Sequence, residues 1–376
     1  MLRLDRALEA TLLGRAVDGV LDESDGVSLR GQRVLVTGAA GSVGAELCRQ
    51  LAACGVARLT MMDHSEYALF RAEGEIRETF PNLAVISVLG DVTRRPDIRV
   101  AMDAAQPNAV YHAAAYKHVT FAETAIAQAL RVNALGALEV CRAARDQGAR
   151  FVLISSDKAA EPRSVMGATK RFAELIVLNE AGARFRPIVV RFGNILGSSG
   201  SVAEILLERA ATGRRLPLTD PDATRYFMTA SEAVSLVLKT DLIARHPEIF
   251  WLDMGDPIRI GDLAARIVSY AMSLGHRPGE VEIIGLRPGE KRHEELTTQG
   301  LTMRRTAHPR IASARQRPVA ADRVSEALRH ARRACARGSA SLALESLTGL
   351  VDDFRPSDAA MRHAAADAVA HQVSAA

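Results

Sequence analysis

Short apolar and β-branched runs alternate with amphipathic stretches through the first two thirds of the chain. Runs of strand length occur at Val34–Thr37, Leu59–Asp63, Val85–Leu89, Ala109–Ala113, Phe151–Ser155 and Ile188–Arg191. Between them, apolar positions recur at helical spacing over Ser42–Cys54, Glu66–Thr79 and Ala125–Gln147. Strands separated by helices predict an α/β fold: a doubly wound parallel sheet with helices on both faces. Gly193 to Asp222 turns to Gly, Ser, Pro and polar residues, as does Leu286–Lys291. The chain is therefore expected to divide into a helical extension over 1–30 and a nucleotide-binding unit over 31–195. A smaller substrate-binding lobe would follow over 196–310, and a helical segment and fraying tail over 311–376. A return strand near 250–254 should rejoin the main sheet.

Composition narrows the picture a little. The 376 residues are 48% hydrophobic and 24% charged, with a net charge of +4, which suits a globular chain with a sizeable core. Arg304 to Arg337 is rich in arginine but lacks the aromatics that stack bases, so no nucleic-acid partner is expected. Four scattered cysteines, Cys48, Cys54, Cys141 and Cys335, form no CxxC pair, which predicts a reduced, cytoplasmic protein with no metal site. No apolar run reaches the roughly 18 residues of a membrane helix, so no transmembrane segment is expected.

The sharpest local pattern is Val34-Leu-Val-Thr-Gly-Ala-Ala-Gly-Ser-Val-Gly44, with Gly38, Gly41 and Gly44 between a strand and a helix. Such a turn lets backbone approach a pyrophosphate, and the following helix N-terminus offers free N–H groups to the anion. Thr37, Gly38, Gly41, Ser42, Val43 and Gly44 are the expected cofactor contacts. Asp63, about 20 residues on, stands where an acid holds ribose hydroxyls. His64 and Ser65 adjoin it, and Asp91 and Val92 would meet the adenine. Asp63 would repel a 2′-phosphate and so favours NAD, while His64, Arg58 and Arg71 leave NADP open.

Beyond the glycine loop come His112-Ala-Ala-Ala115, a strand ending in Ile154-Ser-Ser-Asp-Lys158, and Met166-Gly-Ala-Thr-Lys170. This order resembles the extended short-chain dehydrogenase superfamily, which builds a Rossmann domain around the dinucleotide. The resemblance adds Ala113, Ala114 and Ala115 to the cofactor contacts. Ser155-Ser-Asp-Lys-Ala-Ala-Glu-Pro-Arg-Ser-Val-Met-Gly-Ala-Thr-Lys-Arg171 is similar to the STDKAxxPxxxMGATKR segment of bacterial polysaccharide-biosynthesis dehydratases. Further likeness lies in Arg191-Phe-Gly-Asn-Ile-Leu-Gly197, Asp220-Pro-Asp-Ala-Thr-Arg-Tyr-Phe-Met228 and Arg287-Pro-Gly-Glu-Lys291.

That resemblance implies a 4,6-dehydratase acting on a UDP-sugar such as UDP-N-acetylglucosamine, working as a homo-oligomer. Lys158 is then the C5 base, Asp157 the acid for the C6 hydroxyl, and Ser156 a partner of the C4 oxygen. Lys170 anchors the nicotinamide ribose. Lys158 must be neutral, its pKa depressed by the nicotinamide, Lys170 and burial. Lys117, Asn194, Arg225 and Arg287 suit the UDP, since arginine forks match phosphate oxygens. Met166 stands where the superfamily carries a tyrosine and fills its space in the substrate pocket. It cannot titrate, so another group must take the O4 proton, Asp157 first among them. The loop Thr120–Ile126 lacks the prolines of the familiar pattern, and Ser156 replaces a threonine. A 4-epimerase and a non-catalytic NAD(P) sensor remain as competing readings.

Overall fold

The structure is a computed structural model that describes residues 4–373 apart from 18, 20 and 299. Parts of the expected N-terminal extension and of the tail therefore lie outside the described residues. Two short helices come first, α1 (Arg6–Leu13) and α2 (Glu23–Leu29). Strands and helices then alternate: β1 (Arg33–Thr37), α3 (Ser42–Ala53), β2 (Arg58–Asp63), α4 (Glu66–Thr79), β3 (Ala84–Leu89), α5 (Arg95–Ala105) and β4 (Ala109–His112). After α6 (Val119–Thr124) and α7 (Ile126–Leu130), a π-helical turn over Arg131–Gly136 leads into α8 (Ala137–Asp146). β5 (Arg150–Ile154), a 3-10 turn at Asp157–Ala159, α9 (Val165–Leu178) and β6 (Ile188–Arg191) complete this half.

A smaller part follows, with β7 (Asn194–Ile195), α10 (Val202–Thr212), β8 (Leu216–Leu218), β9 (Thr224–Arg225) and β10 (Phe227–Met228). Next come α11 (Ala230–Ile243), β11 (Ile249–Leu252), β12 (Ile258–Arg259), α12 (Ile260–Ser273), β13 (Val281–Ile283), β14 (Arg304–Arg305) and β15 (Ile311–Ala314). The chain finishes in α13 (Ala321–Arg337), α14 (Ala340–Leu350) and α15 (Asp358–Val373). The main sheet runs β14-β15-β11-β6-β5-β4-β1-β2-β3. Its seven central and far strands are parallel, and β15 and β14 close one edge antiparallel. This is the expected doubly wound Rossmann sheet, and β11 is the expected return strand, paired in parallel with β6.

Each face of the sheet carries an apolar layer. α3, α4 and α11 cover one side through Leu47, Leu51, Leu69 and Val237; α5, α8, α9, α13 and α14 cover the other through Met102, Val140, Phe172 and Leu347. The terminal helices therefore belong to the main core, and α15 extends over Asp358–Val373. A third core joins α1, α10 and α12: Leu8, Leu12, Leu206 and Ile267 are buried together.

The single helix expected over Ala125–Gln147 is broken by the π-turn. A widened turn releases one residue from the regular ladder. Asn133, in that turn, accepts the Tyr116 N–H at 2.7 Å and donates to the Tyr116 carbonyl at 3.0 Å and Thr169 Oγ1 at 2.9 Å.

Beneath the sheet's carboxyl edge lies a buried ion cluster. Glu174 of α9 accepts from Arg191 of β6 at 2.7 and 2.5 Å, from Arg171 at 3.1 Å and from Ser155 Oγ at 2.6 Å. Burial pushes the Glu174 carboxyl up, but the two arginines outweigh it and hold its pKa below the ordinary value. Arg191→Met should therefore destabilise the fold by about 3–5 kcal/mol, because it strands a buried carboxylate. Breaking the exposed Arg71–Glu75 pair, 3.6 Å apart, should cost under about 1 kcal/mol. Urea unfolding of the two variants measures the contrast.

Candidate functional site

The carboxyl ends of β1, β4 and β5 open into one cavity of about 790 Å³. Gly38 has φ of +67°, and a Cβ there would sit 2.5 Å from the Ala114 backbone nitrogen. A Cβ on Gly44 would lie 1.9 Å from the Gly38 carbonyl oxygen. Only glycine fits either place, so the loop lies close against β4 and against its own helix. The N-terminus of α3 carries no side-chain cap, leaving its N–H groups for a ligand. Such a cradle fits a dinucleotide pyrophosphate.

Gly38, Gly41, Ser42, Val43, Gly44, Ala113 and Ala115 all line the cavity. Thr37 and Ala114 lie just behind it, with Thr37 Oγ1 2.8 Å from His112 Nδ1. His112 is buried with Lys170 nearby, and burial first, then that charge, pulls its pKa down to about 3. Asp63 is tied to the loop itself: its carboxylate accepts from the backbone of Ala40 and Ser65, each at 3.0 Å. His64 is exposed beside it. Asp91 accepts from Thr93 N at 2.8 Å. The Val92 side chain points into the core, where a Cβ on Gly136 would come within 3.0 Å of it.

The strip after β5 lies on the cavity floor. Ser156 and Lys158 line the cavity, while Asp157 is buried directly behind them. Asp157 Oδ1 accepts from Ser156 Oγ at 2.8 Å and from Lys158 Nζ at 3.0 Å. Asp157 Oδ2 is buried with no hydrogen-bond partner. It faces Gly193, where a Cβ would stand 3.1 Å from it. Met166 is buried in the same wall, and Gly167 after it allows α9 to abut the Lys158 carbonyl.

Lys158 departs from expectation. Its Nζ reaches Asn194 Oδ1 at 2.9 Å and Glu294 Oε1 at 3.6 Å as well as Asp157. Burial works against its charge, but Asp157 and Glu294 outweigh burial and raise its pKa above the ordinary value. The carboxylates of the protein itself thus favour the ammonium form, against the lowering expected from burial and Lys170. Lys170 behaves oppositely. It donates to the Ile154 carbonyl at 2.9 Å, and burial, only partly offset by Glu174, pulls it down to about 8.

The far wall carries Lys117, Asn194, Arg225 and Arg287. Arg287 is exposed, and Lys117 donates to Ser198 Oγ at 3.2 Å. Arg225 does not present a free fork to phosphate: its guanidinium donates to the carbonyls of Thr224, Lys291 and Arg292 at 2.7–3.1 Å. Sequence reading missed Glu294, buried between Lys158 and Arg225, and Asn133, which clamps Tyr116. Only the crowding of charge in Glu290-Lys-Arg-His-Glu-Glu295 hinted at the first. The loop over 197–201 crosses to the cradle, where Ser199 N donates to Ser42 Oγ at 3.2 Å, and Gly200 lies against the His118 ring. Among the described residues no acidic, His or Cys cluster could hold a metal ion, and no helix is long and apolar enough to cross a membrane.

Lys170 gives a pH test. Between about 8 and its ordinary 10.5 the unfolded chain binds the extra proton, so stability contributed here rises with pH across that window. The stability of the native protein relative to Lys170→Met should therefore increase from pH 8 to 10.5, as measured by urea unfolding at stepped pH.

Residues 34–316 match the family model described as polysaccharide biosynthesis protein. The capsular polysaccharide biosynthesis protein CapD of Staphylococcus aureus is 40% identical over 272 residues, covering 71% of this chain and 45% of CapD. The chain thus spans less than half of that relative. Among solved structures, Pen from Bacillus thuringiensis superposes with a TM-score of 0.67 at 30% identity, covering 72% of this chain and 83% of Pen. The dTDP-glucose 4,6-dehydratase DesIV from Streptomyces venezuelae, 22% identical, shares the fold with a TM-score of 0.62, over 71% of this chain and 88% of DesIV.

Proposed function

This chain belongs to the polysaccharide biosynthesis protein family, and from that premise we propose that it is an NAD-dependent nucleotide-sugar 4,6-dehydratase. Its substrate on this reading is UDP-N-acetylglucosamine or a close relative, converted to the 4-keto-6-deoxy sugar. The observation that carries the proposal is Ser156-Asp157-Lys158 set against the cavity that the glycine cradle opens into. An epimerase needs a proton acceptor at O4 but no acid for a C6 hydroxyl; Asp157 backed by Lys158 supplies what elimination requires.

The bound dinucleotide would supply a reversible hydride acceptor, and Asp63 beside the cradle favours NAD over NADP. The protein's own part is proton handling and placement. Asp157, behind Ser156, takes the O4 proton by way of the Ser156 hydroxyl that donates to it and returns it by the same route to the departing C6 hydroxyl, so one carboxyl serves both transfers and the count of protons closes. Met166 excludes water from this corner without titrating. Ser156 holds the C4 oxygen, while Lys170, less basic than an ordinary lysine, hydrogen-bonds the ribose. Lys117, Asn194 and Arg287 face the nucleotide diphosphate, with Arg225 shaping their wall.

Incubation with a panel of UDP-sugars should give a product lighter by one water. Substrate deuterated at C4 should yield deuterium in the new methyl group; label remaining at C4 would instead indicate epimerisation and sink the proposal. Asp157→Asn should lower water loss by about 10²–10⁴-fold while leaving dinucleotide binding intact.

A further inference from the structure

Glu123 is a buried carboxylate that the proposed chemistry does not use. It belongs to α6, is only 2% exposed, and lies behind the cavity wall rather than on it. Its Oε1 accepts from the Val165 N–H at 2.8 Å, and its Oε2 accepts from the Ser357 hydroxyl. Burial pushes its pKa up, and those two hydrogen bonds pull it only part of the way back. Neither partner carries a charge to offset the burial, so keeping a carboxylate here has a cost.

Three stretches of the cavity wall converge on this group. α6 itself supplies Phe121 and Ala122 to the cavity. Val165, which Glu123 holds, opens α9 between Ser164 and Met166, both of which line the cavity. Gly289, with φ of +76°, comes so close that a Cβ there would stand 2.9 Å from Glu123 Oε1 and 2.9 Å from Ser164 Cβ. The end of the chain is the fourth partner. Arg355 N donates to the Pro162 carbonyl at 3.0 Å, next to Glu161, whose φ is +43°. A residue other than glycine stays in that region only where its surroundings hold it. Ser357 then begins α15: its Oγ accepts the Ala360 N–H at 3.1 Å while its own hydrogen goes to Glu123. One hydroxyl thus caps a helix and fastens a carboxylate. Phe354 and Ala360, on either side of it, are buried in the same core as Ala122 and Met166.

We propose that Glu123 and Ser357 form a positioning clamp through which the C-terminal segment sets the wall that receives the sugar of a UDP-sugar. This rests on the nucleotide-sugar part of the functional reading, not on elimination. Glu123 touches no substrate; it acts through α6, Ser164 and Met166, which stand beside the Ser156–Lys158 strip where the sugar reacts. The glycine cradle is held by separate contacts, Asp63 to Ala40 among them, so the clamp governs the sugar and not the dinucleotide. A role confined to capping α15 would leave a different signature. Aspartate caps a helix as well as serine does, yet it has no proton to donate and would set like charge against Glu123.

The experiment uses the full chain carrying Asp157→Asn to suppress turnover, loaded with NAD and titrated in a calorimeter with UDP-N-acetylglucosamine and, separately, with UDP. Added Ser357→Ala or Ser357→Asp should each weaken UDP-N-acetylglucosamine by about tenfold, the scale of one hydrogen bond to a charged group, and leave UDP and NAD affinity unchanged. Ser357→Thr, which keeps the hydroxyl, should hold the sugar nucleotide as tightly as the parent. Combining Ser357→Asp with Glu123→Gln should restore affinity, because the glutamine amide then donates across the pair while its carbonyl still accepts from Val165. Parent affinity for the sugar nucleotide in Ser357→Asp overturns the clamp, since capping would be the whole role of Ser357. An equal loss of UDP affinity overturns it too, as does a double variant no better than Ser357→Asp. A protein that binds UDP-N-acetylglucosamine but, with Asp157 intact, removes no water overturns the dehydratase reading alone. One that binds neither ligand overturns both.

Discussion

The bidentate pair of Arg191 and Glu174, sealed from solvent under the sheet edge, governs the geometry above it. Glu174 belongs to the helix that carries Met166 and Lys170. Arg191 ends β6, and Ser155, which completes the cluster, directly follows β5. Three elements are thus locked at the point where the chain leaves the sheet to form the Ser156–Lys158 strip. A buried ion pair adds little net stability over a well-packed apolar contact, but it tolerates very little displacement. Arg191 also reaches the Ala159 carbonyl at 3.4 Å, so the 3-10 turn bearing Asp157 and Lys158 rests directly on the pair.

Charge is sorted by depth. In the lower cluster Glu174 is satisfied by two arginines and a hydroxyl, and among the described residues of that cluster only Arg171 Nε is left without a partner. The upper set around Lys158 is looser, with contacts of 3.6 and 3.8 Å and one carboxylate oxygen left without a partner. Short, multiply shared hydrogen bonds fix the lower cluster more firmly than the longer contacts above it. The two lysines of the site differ for the same reason. Lys170 has a carbonyl for its partner and is pulled toward neutrality by burial, whereas Lys158 is flanked by carboxylates and stays charged.

The strand positions and the glycine cradle were legible because both are written locally: short continuous apolar runs, and glycines where a Cβ cannot fit. β11 was equally plain as an apolar run. What escaped was set by distant contacts. The break in the helix after Ala125 depends on Asn133 meeting Tyr116 and Thr169, a partnership no periodicity reveals. β15 is only Ile-Ala-Ser-Ala and becomes a strand by pairing with β11. The contact of Lys158 with Glu294 escaped because that carboxylate arrives from a segment far along the chain. Arg225 looked like a phosphate ligand by type, yet three backbone carbonyls already claim it.

The loop over 197–201 ties the two halves of the molecule across the cradle through single contacts, at Ser42, Lys117 and His118. The two hydrogen bonds, at Ser42 and Lys117, are worth about 0.5–1.5 kcal/mol each, so parting the loop is inexpensive beside unfolding any element. That makes it a clasp rather than a wall. A molecule lying on α3's N-terminus is enclosed on that flank by lobe residues, and its departure requires the two halves to disengage there. An occupant of the cradle is thus covered on that flank by a fastening that two broken hydrogen bonds undo.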